Sequence, residues 1–334
     1  MIFDIIMLVV SLGIILLASL IFTNGIERLG HHFKLHQGVV GSILAAVGTA
    51  LPETIIPVIA ILFFHSASAH EVGIGAIAGA PFMLATLAFF ITGAAVVLNA
   101  AAGRRSRAIH TSVEGVTRDL IFFILLYGIA ILASCFHHHH IVKYGVAAGL
   151  VLGYAWYIRL TLRSDGHEIE NVETLHFNHY LRLPDTRTVM IIQIIASLIL
   201  MTWGAHLFVG YVSAVSVTLG ISALILSIII TPIATELPEK CNSVIWIGKR
   251  KDILAMGNIT GAMVFQSSFP VAFGVAFTSW DLTGVPLVSA LLALGSAGLV
   301  LAWVRIKKSL NPYVLMTGGL FYLAFILYLS LGRG

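Results

Sequence analysis

The segment AAVGTALPETIIP, residues 45–57, returns in altered form as TPIATELPEKCNS, residues 231–243. Both copies contain the pattern T-x-L-P-E, with proline directly before the glutamate. The matching pairs are Thr49 and Thr235, Pro52 and Pro238, and Glu53 and Glu239. A repeated pattern of this kind indicates that the chain contains an internal structural repeat.

A glycine-rich stretch follows each copy of the pattern. GAIAGA at residues 75–80 aligns with GNITGA at residues 257–262. The spacing from the motif glutamate to the first of these glycines is similar in the two copies. The match therefore has two parts in each half of the chain, and it predicts two related halves.

The composition places these repeats in a membrane. Of the 334 residues 58% are hydrophobic and only 10% are charged, whereas soluble proteins carry roughly 25% charged residues. The mean hydropathy of +0.99 excludes a water-soluble globule and a disordered chain. The apolar runs are long and unbroken, which excludes the alternating pattern of a transmembrane β-barrel. The fold class is therefore an all-α integral membrane protein.

Ten stretches are long enough to cross a bilayer as helices, since a spanning helix needs about 20 mostly apolar residues. The predicted spans are residues 4–23, 38–64, 71–99, 118–135, 141–160, 188–212, 219–247, 253–278, 283–304 and 312–331.

The basic residues fix the predicted orientation. Of the 19 lysines and arginines, 17 fall in alternate connections, and only Lys143 and Arg333 lie on the other side. Basic residues mark cytoplasmic loops, so both termini are predicted to be non-cytoplasmic. The hydrophilic residues 161–187 form a predicted solvated cytoplasmic linker between two five-helix halves.

The two halves have opposite predicted orientations, because the two motif-bearing spans start from opposite sides of the membrane. Residues 1–160 contain the first repeat at 38–99, and residues 188–334 contain the second at 219–278. Inverted repeats of this kind are typical of secondary transporters, whose substrate sites lie near the midplane.

Three acidic residues, Glu53, Glu236 and Glu239, fall well inside predicted spans. A charge at mid-bilayer costs at least ~2.5 kcal/mol on insertion scales, so such residues usually face a cavity, a partner or an ion. No lysine or arginine is predicted at comparable depth. A cation is the natural partner of facing carboxylates, although a single intramembrane glutamate is also compatible with a protonated group bonded to a neighbouring helix.

The motif also supplies carbonyl oxygens. Thr49 shares a helical face with Glu53, and Thr235 shares one with Glu239. Each motif proline has no backbone N–H, so the carbonyl four residues earlier loses its helical hydrogen bond. The resulting kink also weakens the hydrogen bond of the neighbouring threonine carbonyl. Carboxylates with free carbonyls form a hard-cation ligand set that suits Ca²⁺, with Mn²⁺ as an alternative.

Glu236 has no acidic counterpart, because Ala50 occupies the aligned position. It either lines the site, carries a proton or takes part in helix packing.

The sequences GTALPE at 48–53 and ATELPE at 234–239 resemble the two α-repeats of the cation/calcium antiporters, and the nearest type is the sodium/calcium exchanger. The resemblance covers nearly the whole chain. It implies that Glu53 and Glu239 coordinate calcium together with the carbonyls of Thr49 and Thr235. It also implies ten helices in two inverted halves.

The chain departs from that family in its glycine-rich spans, which normally read G-S-N-x-x-N or G-S-N-x-x-D. Alanines stand at the serine positions, and the final positions differ too: Ala80, Ala262, Leu84 and Gln266. Because the family places a ligand side chain at this final position, the resemblance makes Gln266 a second-rank candidate ligand beside Glu236. The family's serines are associated with sodium sites, so both Na⁺ and H⁺ stay open as counter-ion. Clustered carboxylates favour proton uptake when the divalent ion leaves.

Other functions find less support in the sequence. It contains no catalytic motif such as H-E-x-x-H or a P-loop, and we expect no enzyme activity, resident cofactor or nucleic-acid partner. A passive cation channel and a non-transporting scaffold with the exchanger fold are the alternatives to an antiporter. We expect a multi-pass protein of a bacterial or archaeal inner membrane, embedded in lipid. The run His137–His140 suits a polar loop better than a metal site.

Overall fold

The structure is a computed structural model that describes residues 2–32, 51–136, 138–163 and 174–331, apart from the side chains at positions 27, 30–32, 163, 234 and 237–242. These residues are helical, with one isolated antiparallel bridge between Ile109 and Leu310. In chain order the helices are α1 (Ile2–His32), α2 (Leu51–Leu62), α3 (Ala67–Met83), a π-helical segment (Leu84–Ala88), α4 (Phe89–Ala101), α5 (Val113–Ser134), α6 (His140–Arg163), α7 (His176–Leu181), α8 (Arg187–Leu219), α9 (Ala223–Gly248), α10 (Asp252–Gln266), α11 (Phe269–Phe277), α12 (Val285–Lys307), α13 (Pro312–Met316) and α14 (Gly318–Leu331).

The prediction of an all-helical membrane protein is confirmed. Within the described ranges, eight helical stretches are long and apolar enough to cross a membrane, and each overlaps one predicted span. Shorter apolar helices, Leu51–Leu62 and Ala223–Ile233, lie in the other two predicted spans. The second predicted span, 38–64, is described only from residue 51, so the count of ten stays a prediction.

Several spans are less regular than their hydropathy indicates. The predicted span 71–99 extends over 67–101 and contains the π-helical segment. The predicted span 253–278 is two helices that meet at Ser267 and Ser268. A hydropathy average does not detect such breaks, because it is taken over a whole span and each break changes the backbone geometry over only a few residues.

Residues 1–73 and 155–223 form one compact unit, called unit 1. Its main feature is the antiparallel pair of α1 and α8. A Cβ at Gly204 of α8 would lie 3.0 Å from Ile14 Cγ2, and one at Gly25 of α1 would lie 2.9 Å from Ile194 Cγ1. A glycine on each helix therefore allows the two backbones to approach closely.

Residues 74–154 and 224–334 form the second compact unit, called unit 2. In it α5 packs against α10 and α12, and α4 packs against α13. The π-helical segment contacts α4, α10, α12 and α14. The two units do not follow the two sequence halves, since each unit takes residues from both. The predicted division of the chain into two repeated halves, joined by residues 161–187, therefore stays a prediction.

The predicted linker is not solvated throughout. Its first part lies outside the described residues, but residues 174–187 include helix α7, and Leu175 is fully buried. Leu175 packs in a core cluster with Val189 and Met190 of α8. The charged composition of 161–187 obscures this single apolar anchor.

Candidate functional site

The first motif copy contributes a buried carboxylate to unit 1. Glu53 lies in the first described turn of α2 and is only 2% exposed. Pro57 lies inside the same helix, so it cannot donate to the backbone carbonyl of Glu53. Sequence reasoning considered only Pro52 and missed this second proline. Glu53 therefore combines a buried carboxylate with a carbonyl that its own helix does not fully satisfy.

The second copy contributes a row of buried hydroxyls to unit 2. Ser227, Thr231 and Thr235 follow one another at four-residue steps along α9 and are all buried. Ser227 Oγ lies 2.9 Å from Thr231 Oγ1, and Thr235 Oγ1 donates to the Thr231 carbonyl at 3.0 Å. The next four-residue step reaches Glu239, whose side chain is outside the described residues. Sequence reasoning missed this row, which the four-residue period could have revealed.

Glu236 is held by the glycine-rich half of the same repeat. Its side chain is 1% exposed, and Gln266 Nε2 donates to Glu236 Oε1 at 3.4 Å. Gln266 is the last residue of α10, so this contact links α9 to α10 within unit 2. The structure thus brings together the two residues that the sequence placed second among the candidate ligands.

The first glycine-rich stretch packs tightly on the second motif helix. A Cβ at Gly79 would lie 2.5 Å from the Ile228 carbonyl oxygen and 2.7 Å from Pro232 Cγ. At Gly75 a Cβ would lie 2.7 Å from the Leu224 carbonyl oxygen. Only glycine allows this approach, so α3 and α9 contact each other through backbone.

The two glycine-rich helices lose regular α geometry at the same aligned position. The π-helical segment begins at Leu84, and α10 ends at its counterpart Gln266. Two residues later, Thr86 Oγ1 and Ser268 Oγ each donate to the carbonyl four residues earlier, at 2.5 Å and 2.7 Å. Irregular backbone inside a membrane helix is often found at functional sites, and here it recurs in both copies.

A further buried carboxylate, Asp119, was missed at the sequence level. It lies in the second turn of α5 and is buried, and Thr260 Oγ1 lies 2.7 Å from its Oδ2. Thr260 belongs to the GNITGA stretch of α10, so Asp119 supports the second glycine-rich helix. The predicted span began at residue 118, which made Asp119 resemble a residue of the flanking loop.

A buried ion pair anchors the start of α10. The Arg105 guanidinium donates to both oxygens of Asp252 at 2.6 Å and 2.7 Å. Arg105 also donates to the Ile247 carbonyl at 2.8 Å, and the His110 backbone N–H donates to Asp252 at 2.9 Å. Every partner lies in unit 2, so the connection between α9 and α10 is fixed to the loop before α5.

The predicted ligands are distributed as follows. Thr49 lies outside the described residues, and for Glu239 only the helical backbone is described. Glu53 belongs to unit 1, whereas Thr235, Glu236 and Gln266 belong to unit 2. All six residues offer oxygen atoms as possible ligands, and hard cations prefer oxygen ligands. Among the described residues no group of three or more His, Cys, Asp or Glu side chains could hold a metal ion.

The comparisons with known proteins agree with this architecture. The model of the sodium/calcium exchanger protein family matches residues 3–163 and 189–331. The inner membrane protein YrbG of Escherichia coli strain K12 is 24% identical over 314 residues, which is 89% of each chain.

Three solved structures have a similar fold. The H⁺/Ca²⁺ exchanger CAX superposes with a TM-score of 0.76 at 15% identity, covering 98% of this chain and 86% of that one. YfkE gives 0.64 at 15% identity and 97% coverage of both chains. The sodium-calcium exchanger NCX_Mj, soaked with Na⁺ and Sr²⁺, gives 0.59 at 19% identity and 98% coverage of both. The family match spans most of the sequence, and the chain therefore belongs to the sodium/calcium exchanger family.

Proposed function

We propose that this protein is a secondary antiporter that exchanges Ca²⁺ for Na⁺ or H⁺ across the membrane by alternating access. The observation that carries the proposal is the burial of motif carboxylates within apolar helices, Glu53 in α2 and Glu236 in α9. Buried carboxylates are costly unless a proton, a hydrogen-bond donor or a cation compensates them. A transported cation meets this requirement and is consistent with membership of an exchanger family.

In this proposal Glu53 and Glu239 are the direct Ca²⁺ ligands, and Thr49 and Thr235 contribute backbone carbonyls. The Thr235 hydroxyl proton is already donated to the Thr231 carbonyl. Only oxygen lone pairs therefore remain for a cation at this residue. Ca²⁺ accepts six to eight oxygen ligands in flexible geometry, so a site assembled from carboxylates and carbonyls suits it.

Glu236 and Gln266 are relevant to the identity of the counter-ion. Glu236 accepts a hydrogen bond from the neutral amide of Gln266, and a buried carboxylate of this kind can bind a proton or a monovalent ion. If the proposed transport site brings the three motif carboxylates together, they would not all stay ionised after Ca²⁺ leaves, which favours proton uptake. Na⁺ is the other candidate, because the same carboxylate and amide oxygens can coordinate it. The H⁺/Ca²⁺ exchanger CAX and the sodium-calcium exchanger NCX_Mj share the fold, so fold similarity does not choose between the two ions.

The test is uptake of radioactive calcium into proteoliposomes that contain the purified protein. An outward Na⁺ gradient and an outward proton gradient are imposed in separate experiments, and an ionophore for each gradient is the control. We expect uptake that depends on at least one gradient and disappears with the matching ionophore. Uptake in the absence of both gradients would indicate a channel. No uptake under any condition would favour a scaffold, or a carrier of another divalent ion such as Mn²⁺.

The predicted topology belongs to the same proposal. Both termini are placed on the non-cytoplasmic side, and the host is a bacterial or archaeal inner membrane. Labelling of an N-terminal cysteine with a membrane-impermeant reagent in intact cells tests the orientation, in a variant that lacks Cys135 and Cys241. Labelling only after the membrane is permeabilised would contradict it.

A further inference from the structure

An open cavity of about 680 Å³ lies at the start of α5, within unit 2. Its lining comes from the first three turns of α5 and from the residue that follows α12, and it includes Val113, Glu114, Arg118, Ile121, Phe122 and Lys308. The volume is within the range of about 300–1,000 Å³ that small-molecule sites occupy. None of these residues belongs to the proposed calcium ligands, so the cavity is a separate feature of the molecule.

Backbone pairing holds Lys308 beside the start of α5. The antiparallel bridge between Ile109 and Leu310 connects the segment before α5 to the segment after α12. Lys308 is the C-cap of α12 and has a φ of 51°, a left-handed conformation in which glycine is the usual residue. An exposed lysine therefore stands where the backbone favours glycine, and its side chain lines the cavity.

The cavity is polar at one end and apolar at the other. Helices α5 and α12 are each long and apolar enough to cross a membrane. Glu114 and Lys308 lie at the ends of these helices, whereas Ile121 and Phe122 lie further along α5. Glu114 and Phe122 are eight residues apart, which is about 12 Å along the helix axis. A phospholipid at the membrane surface fits this gradient, because its headgroup is polar and its acyl chains enter the hydrocarbon core.

The charges at the cavity determine which headgroup fits. Arg118 donates from Nε and Nη2 to Asp119 Oδ1, at 3.2 Å and 3.1 Å, so the buried carboxylate of Asp119 balances its charge. The Arg118 side chain is 24% exposed and also lines the cavity. Glu114 and Lys308 add one negative and one positive charge, and the formal charges of these four residues sum to zero. A zwitterionic headgroup keeps this balance, whereas an anionic headgroup leaves an excess of negative charge.

We propose that this cavity binds a phospholipid with a phosphoethanolamine headgroup. The phosphate accepts hydrogen bonds from the Lys308 ammonium group, and the primary ammonium group of the lipid donates to the Glu114 carboxylate. Arg118 provides a second cationic side chain near the phosphate while it keeps its bond to Asp119. An acyl chain of the lipid lies along the apolar end of the cavity. This lipid site does not depend on the proposed antiport.

Native mass spectrometry of the full-length protein tests the binding. The purified protein is stripped of lipid with detergent and titrated separately with phosphatidylethanolamine, phosphatidylglycerol and phosphatidylcholine that carry the same acyl chains. Phosphatidylglycerol has no ammonium group, and phosphatidylcholine has no N–H to donate. We expect one phosphatidylethanolamine to bind about fivefold more tightly than either of the others, the difference that one exposed ion pair contributes. Equal binding of the three lipids, or a preference for another of them, would overturn the proposal.

Two substitutions that remove a charge and keep a side chain of similar length locate the headgroup. Lys308→Gln should weaken the binding of all three lipids about fivefold, because each of them carries a phosphate. Glu114→Gln should remove only the preference for phosphatidylethanolamine, since the phosphate contacts remain. The matched control is Lys307→Gln, which changes the adjacent basic residue outside the cavity lining and should bind lipid as the wild type does. A preference that survives in Glu114→Gln, or equal binding by Lys308→Gln and the control, would overturn the site.

Thermal unfolding in detergent provides a second measurement. Without lipid the wild type and the three variants should have similar midpoints, because Glu114, Lys307 and Lys308 are exposed. Added phosphatidylethanolamine should raise the midpoint of the wild type and of Lys307→Gln more than that of Lys308→Gln. Neither measurement requires transport, so a wild type that binds this lipid and moves no calcium would count against antiport alone. An active exchanger without the lipid preference would overturn only the lipid site.

Discussion

The two motif copies differ more in chemistry than in backbone. In the first copy Ala50 precedes the L-P-E triplet, and Leu84 ends the glycine-rich match. In the second copy the same positions hold Glu236 and Gln266, which bind each other. Both glycine-rich helices nevertheless lose α geometry at the aligned position. Both copies thus have irregular backbone at this position, whereas the additional polar groups lie in the second copy.

The second copy is also better anchored. Its glycine-rich helix begins at Asp252, which forms the buried pair with Arg105. The aligned residue of the first copy is His70, whose ring Nδ1 lies 3.3 Å from the Ser66 carbonyl oxygen, one helical turn away on the same segment. In the proposed antiport, the two glutamates shared by both copies perform the common task, and the additional groups of the second copy adjust it.

Glu53→Gln is predicted to have the largest effect. The substitution removes a carboxylate at the motif position where both copies have a glutamate, Glu53 and Glu239. We expect the rate of calcium uptake to fall by at least about 100-fold, since loss of even an outer partner of a metal ligand costs roughly 10–100-fold. Uptake into proteoliposomes measures this effect. The exposed Glu114 of α5 offers the control Glu114→Gln, which should keep its activity. Normal uptake by Glu53→Gln would refute its role as a ligand.

Asp252→Asn tests the unequal anchoring. Breaking a buried ion pair costs roughly 3–5 kcal/mol, because the remaining Arg105 charge is left uncompensated. We expect a clearly lower midpoint of thermal unfolding in detergent. The aligned change His70→Ala should alter the free energy of unfolding by less than about 0.5 kcal/mol. Similar midpoints for the two variants would remove this difference between the copies.

Gly79→Ala tests the contact between the first glycine-rich helix and the second motif helix. The added Cβ would lie 2.5 Å from the Ile228 carbonyl oxygen, and such overpacking costs about 1–3 kcal/mol. In contrast, no described atom beyond the adjacent residues and the nearby backbone of α5 itself lies within 4 Å of a Cβ built at Gly128. Gly128→Ala should therefore be neutral or stabilising, by up to about 1 kcal/mol. Equal thermal midpoints for both variants would argue against a close approach of α3 and α9.

Glu236→Gln should have the smallest effect, because the aligned residue of the first copy is Ala50 and not an acid. The hydrogen bond from Gln266 to Glu236 is also long, at 3.4 Å. We expect proton-driven calcium uptake to fall about tenfold, equivalent to about 1.4 kcal/mol. Uptake driven by Na⁺ should change less. Glu236→Asp keeps the carboxylate and is the conservative control. A complete loss of uptake under both gradients would instead make Glu236 a ligand equal to Glu53.

The membrane fold and the family could be predicted from the sequence because both depend on long apolar runs and on the doubled T-x-L-P-E pattern. The breaks at Leu84 and Gln266 could not, since the first lies among apolar residues and the second involves too few polar residues to change the hydropathy of a whole span. Leu175 was hidden in a charged segment, and its burial depends on a cavity formed by α1 and α8. Asp119 lay at the edge of a predicted span, and its burial and its contact with Thr260 are visible only in the structure.

The most direct test of the account is calcium binding to the purified protein, measured by isothermal titration calorimetry with wild type, Glu53→Gln and Glu239→Gln. If the two motif copies contribute one carboxylate each to a single site, each single variant should lose most of the calcium affinity of the wild type. If either variant binds calcium as tightly as the wild type, the two copies do not share a site and the proposed ligand set is wrong.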